Sequence, residues 1–361
     1  MEEDYITRRL NNLRKALKNR GIDGFLISNP INCRYLSGFT GTSVYLLITM
    51  EEAFLITDFR YREQAVEEAP CFSLVSLQGS LDSTLENFLK KKRLKKIAFE
   101  HNYLTVYWYE TLKNKLSGLE LVPLHQVVED LRTIKDIKEI KLIKEAAHIT
   151  ENSFKKILPY LKPGVREEDV VLELDYIIKK EGARKASFDF IVASGKRSSL
   201  PHGVASKKKI EHGDMVVIDF GIYYNGYCSD MTRTVAMSHA GNRERKLYRL
   251  VLEAQKRALG GIKEGLSGEE ADELARQVIF KDGYGDNFGH GLGHGVGLEV
   301  HEEPRLAPRS KIILKNGMIS TVEPGIYFSG WGGIRIEDMV LIGENGCELL
   351  TGDLKEELIV L

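Results

Sequence analysis

Residues 288–304 read FGHGLGHGVGLEVHEEP and carry three histidines, His290, His294 and His301, on a backbone in which almost every second residue is glycine. His290 and His294 have the i, i+4 spacing of a helical zinc site, but each glycine in a helix costs about 1 kcal/mol relative to alanine. A strand is expected instead. There, alternate residues face opposite ways, so His290 and His294 share a face, and His301 needs a bend or a bulge to join them.

Carboxylates follow the same strand logic. In VVIDFGIYYNGYCSDMTRTV, Asn225-Gly226 between apolar runs signals a hairpin. Residue 224 then faces 227, Asp230 faces Gly221, and Asp219 is the diagonal neighbour of Asp230 on one face. In STVEPGIYFSGWGGIRIEDMV, folding about Gly330 sets Glu323 opposite Glu337, with Arg335 on the Glu337 face, where it could orient a carboxylate or a substrate. The bland reading of each pair is a solvated strand end or a strand salt bridge, against which stands the depletion of Asp from strands. Two ionised carboxylates in apolar surroundings repel, and a shared proton, an arginine or a metal must offset this. Four carboxylates with one imidazole make a site for a hard ion such as Mn²⁺, Co²⁺ or Zn²⁺. Two ions about 3.5–4 Å apart would use all of them.

These residues need a scaffold. The chain has 361 residues, enough for two domains. Its net charge of −1 offers no cationic surplus for a nucleic-acid backbone. The four cysteines form no CxxC pair, which fits a reducing compartment. The charged start MEEDYITRRLNNLRKALKNRG lacks the apolar core of a signal peptide, and no apolar run is long enough to span a membrane. A cytoplasmic protein is expected, with neither nucleic acid nor membrane as partner.

GFLISN, VYLLIT, EAFLIT and KKIAFE read as buried strands, alternating with helical segments such as LDSTLENFLKKKRLK and VYWYETLKNKLSG. This predicts an α/β domain over residues 1–125. A charged helical stretch over 129–161 and a second helix, REEDVVLELDYIIKKEG, follow. Beyond 185 the pattern is strand-rich, with helices near 243–263 and 268–282, as in an α+β domain with an antiparallel sheet and helices packed on one side. Residues 126–361 are thus a second domain.

Five motifs in order, LPHG, VIDFG…GYCSDMTRT, GHGVGLEVHE, STVEPGIY and GGIRIED, resemble the pita-bread metallopeptidases, the group of methionine aminopeptidase, aminopeptidase P and prolidase. The first 125 residues resemble the extra N-terminal domain of the creatinase, prolidase and aminopeptidase P branch. The resemblance implies two divalent ions, Mn²⁺ or Co²⁺ with Zn²⁺ as a further option, held by Asp219, Asp230, His294, Glu323 and Glu337. Asp230 and Glu337 would bridge them, and a bridging hydroxide would be the nucleophile. It further implies Glu323 as general base, and His202 and His301 as donors to the carbonyl and the developing oxyanion, with His290 supporting the substrate pocket. Thr232 and Thr321 would hydrogen-bond ligand carboxylates, though strand propensity also accounts for them. Creatinase and the non-catalytic relatives lack the ligand set that this chain has.

The implied reaction is hydrolysis of the bond between an N-terminal residue and proline, a tertiary amide with no N–H to bind. A dipeptidase needs a cation for the product-side carboxylate. Arg305 in HEEPR resembles the prolidase clamp, and Arg309 is a nearby competitor. LSGFTG and ITDFRYREQA look closer to bacterial aminopeptidase P-like chains. On balance the sequence favours an Xaa-Pro aminopeptidase, with an Xaa-Pro dipeptidase as the alternative and a non-catalytic peptide-binding module as a third reading. The branch also implies a homodimer.

Overall fold

In a computed structural model the described residues are 5–92, 94–116, 118–352 and 355–361, so the charged start, 1–4, lies outside them, as do Arg93 and Ser117 at the ends of two expected helical segments. The chain divides into two compact units, 1–132 and 133–361.

The first unit comprises α1 (Tyr5–Lys18), β1 (Gly24–Ile27), α2 (Pro30–Ser37), β2 (Tyr45–Thr49), β3 (Ala53–Thr57), α3 (Arg62–Glu68), β4 (Ser73–Ser76), α4 (Leu81–Lys92), β5 (Lys96–Glu100), α5 (Val106–Lys115), β6 (Glu120–Leu124) and α6 (Val127–Arg132). Its six-stranded sheet has the order β4-β3-β2-β1-β5-β6, with β1–β2 and β2–β3 antiparallel and the other pairs parallel. The four strands expected from apolar runs are its buried centre. The two that the runs do not reveal, β4 and β6, are its edges, where half-exposed positions admit polar residues.

The helical stretch expected over 129–161 is instead two helices, α6 at the end of the first unit and α7 (Ile137–Ile157) at the start of the second. Asp136 accepts from the Glu139 N–H and Glu139 returns a bond to the Asp136 N–H, a capping box that starts α7 afresh. Then come α8 (Glu167–Lys180), β7 (Lys185–Ala186), β8 (Ile191–Ser194), β9 (Met215–Phe220), β10 (Ile222–Tyr224), β11 (Tyr227–Cys228), β12 (Met231–Ala236), α9 (Asn242–Leu259) and α10 (Gly268–Lys281). The chain ends through β13 (Gly293–Gly295), β14 (Glu302–Leu306), β15 (Ile319–Val322), β16 (Gly325–Phe328), β17 (Gly332–Arg335), β18 (Asp338–Ile342) and β19 (Cys347–Leu349).

Both expected hairpin registers are present. Asn225 and Gly226 have positive φ and turn β10 into β11, with Tyr224 opposite Tyr227. The same offset pairs Asp219 with Thr232 in β9–β12. Around Gly330, Gly325 faces Arg335 and Ile326 faces Ile334, and the offset continues to Val322 opposite Asp338. In the second hairpin each expected long strand nevertheless breaks at its carboxylate: β15 and β16 are separated by Glu323-Pro324, β17 and β18 by Ile336-Glu337. Proline has no N–H for the ladder, which opens there.

Helices α7 and α8 bury Phe154, Ile157, Leu174 and Ile178 against Val192, Val216 and Ile218 of β8 and β9. Helices α9 and α10 bury Leu247, Val251, Ala275 and Ile279 against Val322, Ile326, Ile334 and Val340. No described helix is long and apolar enough to cross a membrane.

Gly221, between β9 and β10, is packed so closely that an added Cβ would lie 1.8 Å from the Ser229 carbonyl oxygen. Gly221→Ala should destabilise the protein by about 1–3 kcal/mol through overpacking. Denaturant unfolding checks this, and an unchanged midpoint contradicts the register.

Candidate active site

The two hairpins bring their acidic side chains to one place. Asp219 lies on β9, Asp230 just before β12, Glu323 after β15, and Glu337 just before β18. All but Glu323, which is partly buried, are buried, and three of them sit beside polar donors. Thr232 Oγ1 donates to Glu337 Oε2 at 2.6 Å, Thr321 Oγ1 to Glu323 Oε1 at 3.2 Å, and Arg335 Nη2 to Asp219 Oδ2 at 2.6 Å. The two expected threonine contacts are thus present.

His294 completes the cluster from β13. Its Nε2 lies 3.6 Å from Asp230 Oδ2 and 3.4 Å from Glu323 Oε1. Asp230, His294 and Glu337 each offer a ligand atom, all within 4.8 Å of one another. The His294 Nδ1 is 3.2 Å from the Gly295 carbonyl oxygen, which fixes the proton there and leaves the Nε2 lone pair for the site. Glycine is required next to it: a Cβ on Gly293 would lie 2.0 Å from the Thr321 carbonyl oxygen.

The electrostatics ask for a cation. Burial, then the charges of Glu337, Asp219 and Glu323, push the Asp230 carboxyl well above the usual carboxylate range. Burial, then Glu323 and Asp219, does the same to Glu337, and burial also raises Glu323. Burial lowers His294, which favours the neutral, metal-binding imidazole. Asp219 Oδ1 and Asp230 Oδ1 are buried without a hydrogen-bond partner. Two donors each about 2.1 Å from a shared ion would stand at separations such as those around His294 Nε2. Orphaned carboxylate oxygens, a lone-pair nitrogen and oxygen-rich surroundings fit divalent metal ions.

The other expected residues fall around this cluster. His290 lies outside the strand, in the bend before β13, because the glycine-rich ladder is only three residues long. Its Nε2 meets the Tyr327 hydroxyl at 2.9 Å, and its Nδ1 the Gly291 carbonyl at 2.8 Å. His301 reaches the cluster through the expected irregularity: the β13–β14 register shifts between His294 and Gly295. Its exposed ring is 4.4 Å from that of His294. His202 is exposed on the turn after Leu200, where the neighbouring Pro201 carbonyl accepts from Arg335. Arg305 is exposed on β14 directly opposite His294, whereas Arg309 lies beyond the strand with φ 69°.

Arg335, expected to orient a carboxylate or a substrate, is buried and spends its donors on Asp219, Thr232, Tyr327 and Pro201. Of the two alternatives, the geometry is that of orienting a carboxylate. Tyr327, which the sequence reading overlooked, accepts from Arg335 Nη1 at 2.8 Å and donates to His290, making a chain from His290 to Asp219. Its signal was in the register: Tyr327 faces Gly333, two residues from Arg335.

An α/β unit followed by a two-hairpin cage of carboxylates and histidine defines a metallopeptidase of pita-bread fold. Residues 141–344 match metallopeptidase family M24 and residues 9–134 match the creatinase/prolidase N-terminal domain. The chain belongs to that family. It is 41% identical over 351 residues to an Xaa-Pro dipeptidase of Pyrococcus furiosus, covering 97% of this chain and 99% of that protein. Among solved structures, an Xaa-Pro dipeptidase from Bacillus anthracis superposes with a TM-score of 0.96 at 47% identity, covering 99% of this chain and 100% of the other. An X-Pro aminopeptidase from Thermotoga maritima superposes at 0.90 with 38% identity, covering 98% and 99%.

A group whose folded pKa is raised contributes stability at low pH that is lost as pH rises through that pKa. Metal-free protein should therefore lose stability toward alkaline pH. Asp230→Asn should raise the Tm of the metal-free protein at pH 8, more than at pH 5, while abolishing the stabilisation given by added Mn²⁺. Thermal unfolding with and without chelator checks both, and a variant that still gains Tm from Mn²⁺ contradicts the ligand role.

Proposed function

We propose that the protein is an Xaa-Pro dipeptidase working with two divalent ions. The observation that carries the choice of dipeptide is Arg305, an exposed cation fixed across the β13–β14 ladder from the ligand His294. Cross-strand partners project to the same face, so this guanidinium stands at a set distance from the metal ligands. It suits a free carboxylate one residue beyond the scissile bond. The relatives named as dipeptidases support the same side. The sequence alone leaned to an aminopeptidase, and the Thermotoga maritima structure keeps that reading as the second one.

Asp219 would serve one ion, His294 and Glu323 the other, with Asp230 and Glu337 between them. When bound, the ions acidify water and polarise the scissile carbonyl. In the metal-free protein burial raises the Glu323 carboxyl, because its carboxylate is poorly solvated there. Beside the ions it would be the carboxylate that takes the proton of the attacking water. Arg335 and Thr321 keep Asp219 and Glu323 from rotating. His301, beside His294, and His202 would donate to the carbonyl oxygen as charge develops on it. His290 would line the pocket through its bond to Tyr327. The oxygen-rich ligand set favours Mn²⁺ or Co²⁺, with Zn²⁺ as the further option. Among the described residues no disulfide joins the four cysteines, which supports a reducing cytoplasm, and the branch supports a homodimer.

The test compares Ala-Pro with Ala-Pro-Ala in the presence of Mn²⁺. Preference for the dipeptide is expected. Arg305→Ala should raise its KM about 10- to 100-fold, the loss of a charge-assisted bond of about 1.5–3 kcal/mol, with little change for the tripeptide. Faster cleavage of the tripeptide by the parent enzyme would favour the aminopeptidase. Glu323→Ala retaining near-parental turnover would sink the two-ion mechanism.

A further inference from the structure

Behind the acidic cage lies a second buried set of charges that the reaction does not use. Along β12, Thr232 and Thr234 face the cage side, and Arg233 between them points the other way, with its side chain 1% exposed. At the start of β18 the side chains likewise diverge, with Glu337 just before the strand pointing forward to Thr232 and Asp338, its first residue, pointing back to Arg233. Arg233 Nη2 meets Asp338 Oδ1 at 2.7 Å. Lys355, from the segment after β19, pairs with Asp338 Oδ2. Gln255 of α9 donates to the same oxygen at 3.0 Å. All four side chains are buried.

This set is bonded to the backbone of the ligands. Ile336 N–H bonds to the Pro324 carbonyl at 3.4 Å, so 324 and 336 are a hydrogen-bonded antiparallel pair. The return bond would come from the nitrogen of Pro324, which has no hydrogen. Gln255 Nε2 fills this gap: it lies 3.3 Å from the Ile336 carbonyl oxygen and 3.1 Å from that of Val322. These are the carbonyls immediately before Glu337 and Glu323. Arg233 Nη1 takes the next carbonyls, that of Glu337 at 2.6 Å and that of Thr232 at 3.0 Å. Gln255 Oε1 is buried with no hydrogen-bond partner. An apolar side chain would fill the same space without that unpaired atom, so packing alone does not explain the amide.

We propose that Gln255, Arg233, Asp338 and Lys355 are positioning residues that hold the splayed hairpin at one fixed opening and so set the separation of Glu323 and Glu337 around the ions. Gln255 bridges the two strands where the ladder cannot. Asp338 orients both Gln255 and Arg233, and Lys355 ties that carboxylate to the end of the chain. The inference rests on the two-ion reading above.

The test uses Mn²⁺ alone, titrated into metal-free full-length protein and followed by calorimetry and electron paramagnetic resonance. The parent should bind two ions and show an exchange-coupled spectrum. Gln255→Met should keep its circular dichroism, bind Mn²⁺ at least about tenfold more weakly, as loss of an outer hydrogen-bond partner does, and show the six-line spectrum of isolated ions. Lys355→Met should move the same way and Lys355→Arg should restore the parent behaviour. If Gln255→Met does not fold, the Lys355 pair decides, since it leaves the Gln255 and Arg233 bonds to backbone in place. A parent that binds no divalent ion overturns the proposed function and this inference with it. A parent that binds two, with variants that match its affinity and spectrum and lose only Tm, overturns the inference alone.

Discussion

Four carboxylates share one apolar cage, and the second unit is organised around their repulsion. Two like charges 4 Å apart at an effective dielectric of 20 repel by about 4 kcal/mol, whereas a whole domain is stable by only about 5–15 kcal/mol. The cage cannot be left fully ionised and bare. Part of the answer is local: Arg335 on Asp219, Thr232 on Glu337, Thr321 on Glu323. These donors take one oxygen each. What remains, including Asp219 Oδ1 and Asp230 Oδ1, has no hydrogen-bond partner and calls for protons or cations. Two helix-covered cores, one behind each half of the sheet system, supply the burial that makes such a cage affordable.

The same constraint explains where the strands stop. A side chain meets those of other strands most readily where its own ladder is interrupted. Asp230, Glu323 and Glu337 all stand in the gaps between strands, and only Asp219 and His294 lie within one. Pro324 opens the second hairpin by withholding an N–H, and Gly293 allows β13 to approach β15 until a side chain would collide with it. The side-chain alternation of β12 and β18 then separates two environments on one pair of strands. The carboxylate of the cage and its threonine donor project forward, and a compensated set of arginine, lysine and aspartate projects back.

The hairpin registers were legible in the sequence because a turn fixes an offset, and an antiparallel pair carries it without change. Asn225-Gly226 placed Asp219 and Asp230 as diagonal neighbours, and Gly330 placed Glu323 across from Glu337. The interruptions were not legible, since the apolar pattern runs on through Ile336 and Val322 as if the strand did. Edge strands β4 and β6 were missed because water on one side removes the apolar signal. The helix break at Asp136 was written in its D-x-x-E capping box but masked by the helical periodicity on either side. Contacts between hairpins were out of reach altogether. Arg335 could be placed on the Glu337 face, but its target, Asp219, is 116 residues away in another sheet. Local spacing carries no information about that distance.

Substrate choice follows from the same geometry if the dipeptidase reading holds. Arg305 and His294 are partners in one short ladder, so the cation that would recognise a carboxylate and the imidazole that would hold an ion cannot move independently. The register shift immediately after His294 returns His301 to the ring of His294. One irregular strand pair would thus carry a metal ligand, a donor for the oxyanion and a carboxylate clamp. A peptide that extends past proline has no carboxylate at that distance and would place an amide against the guanidinium instead. Selectivity for length then needs no separate gate. It would come from fixing a charge at one residue's reach from the scissile bond, on the element that would also hold the metal.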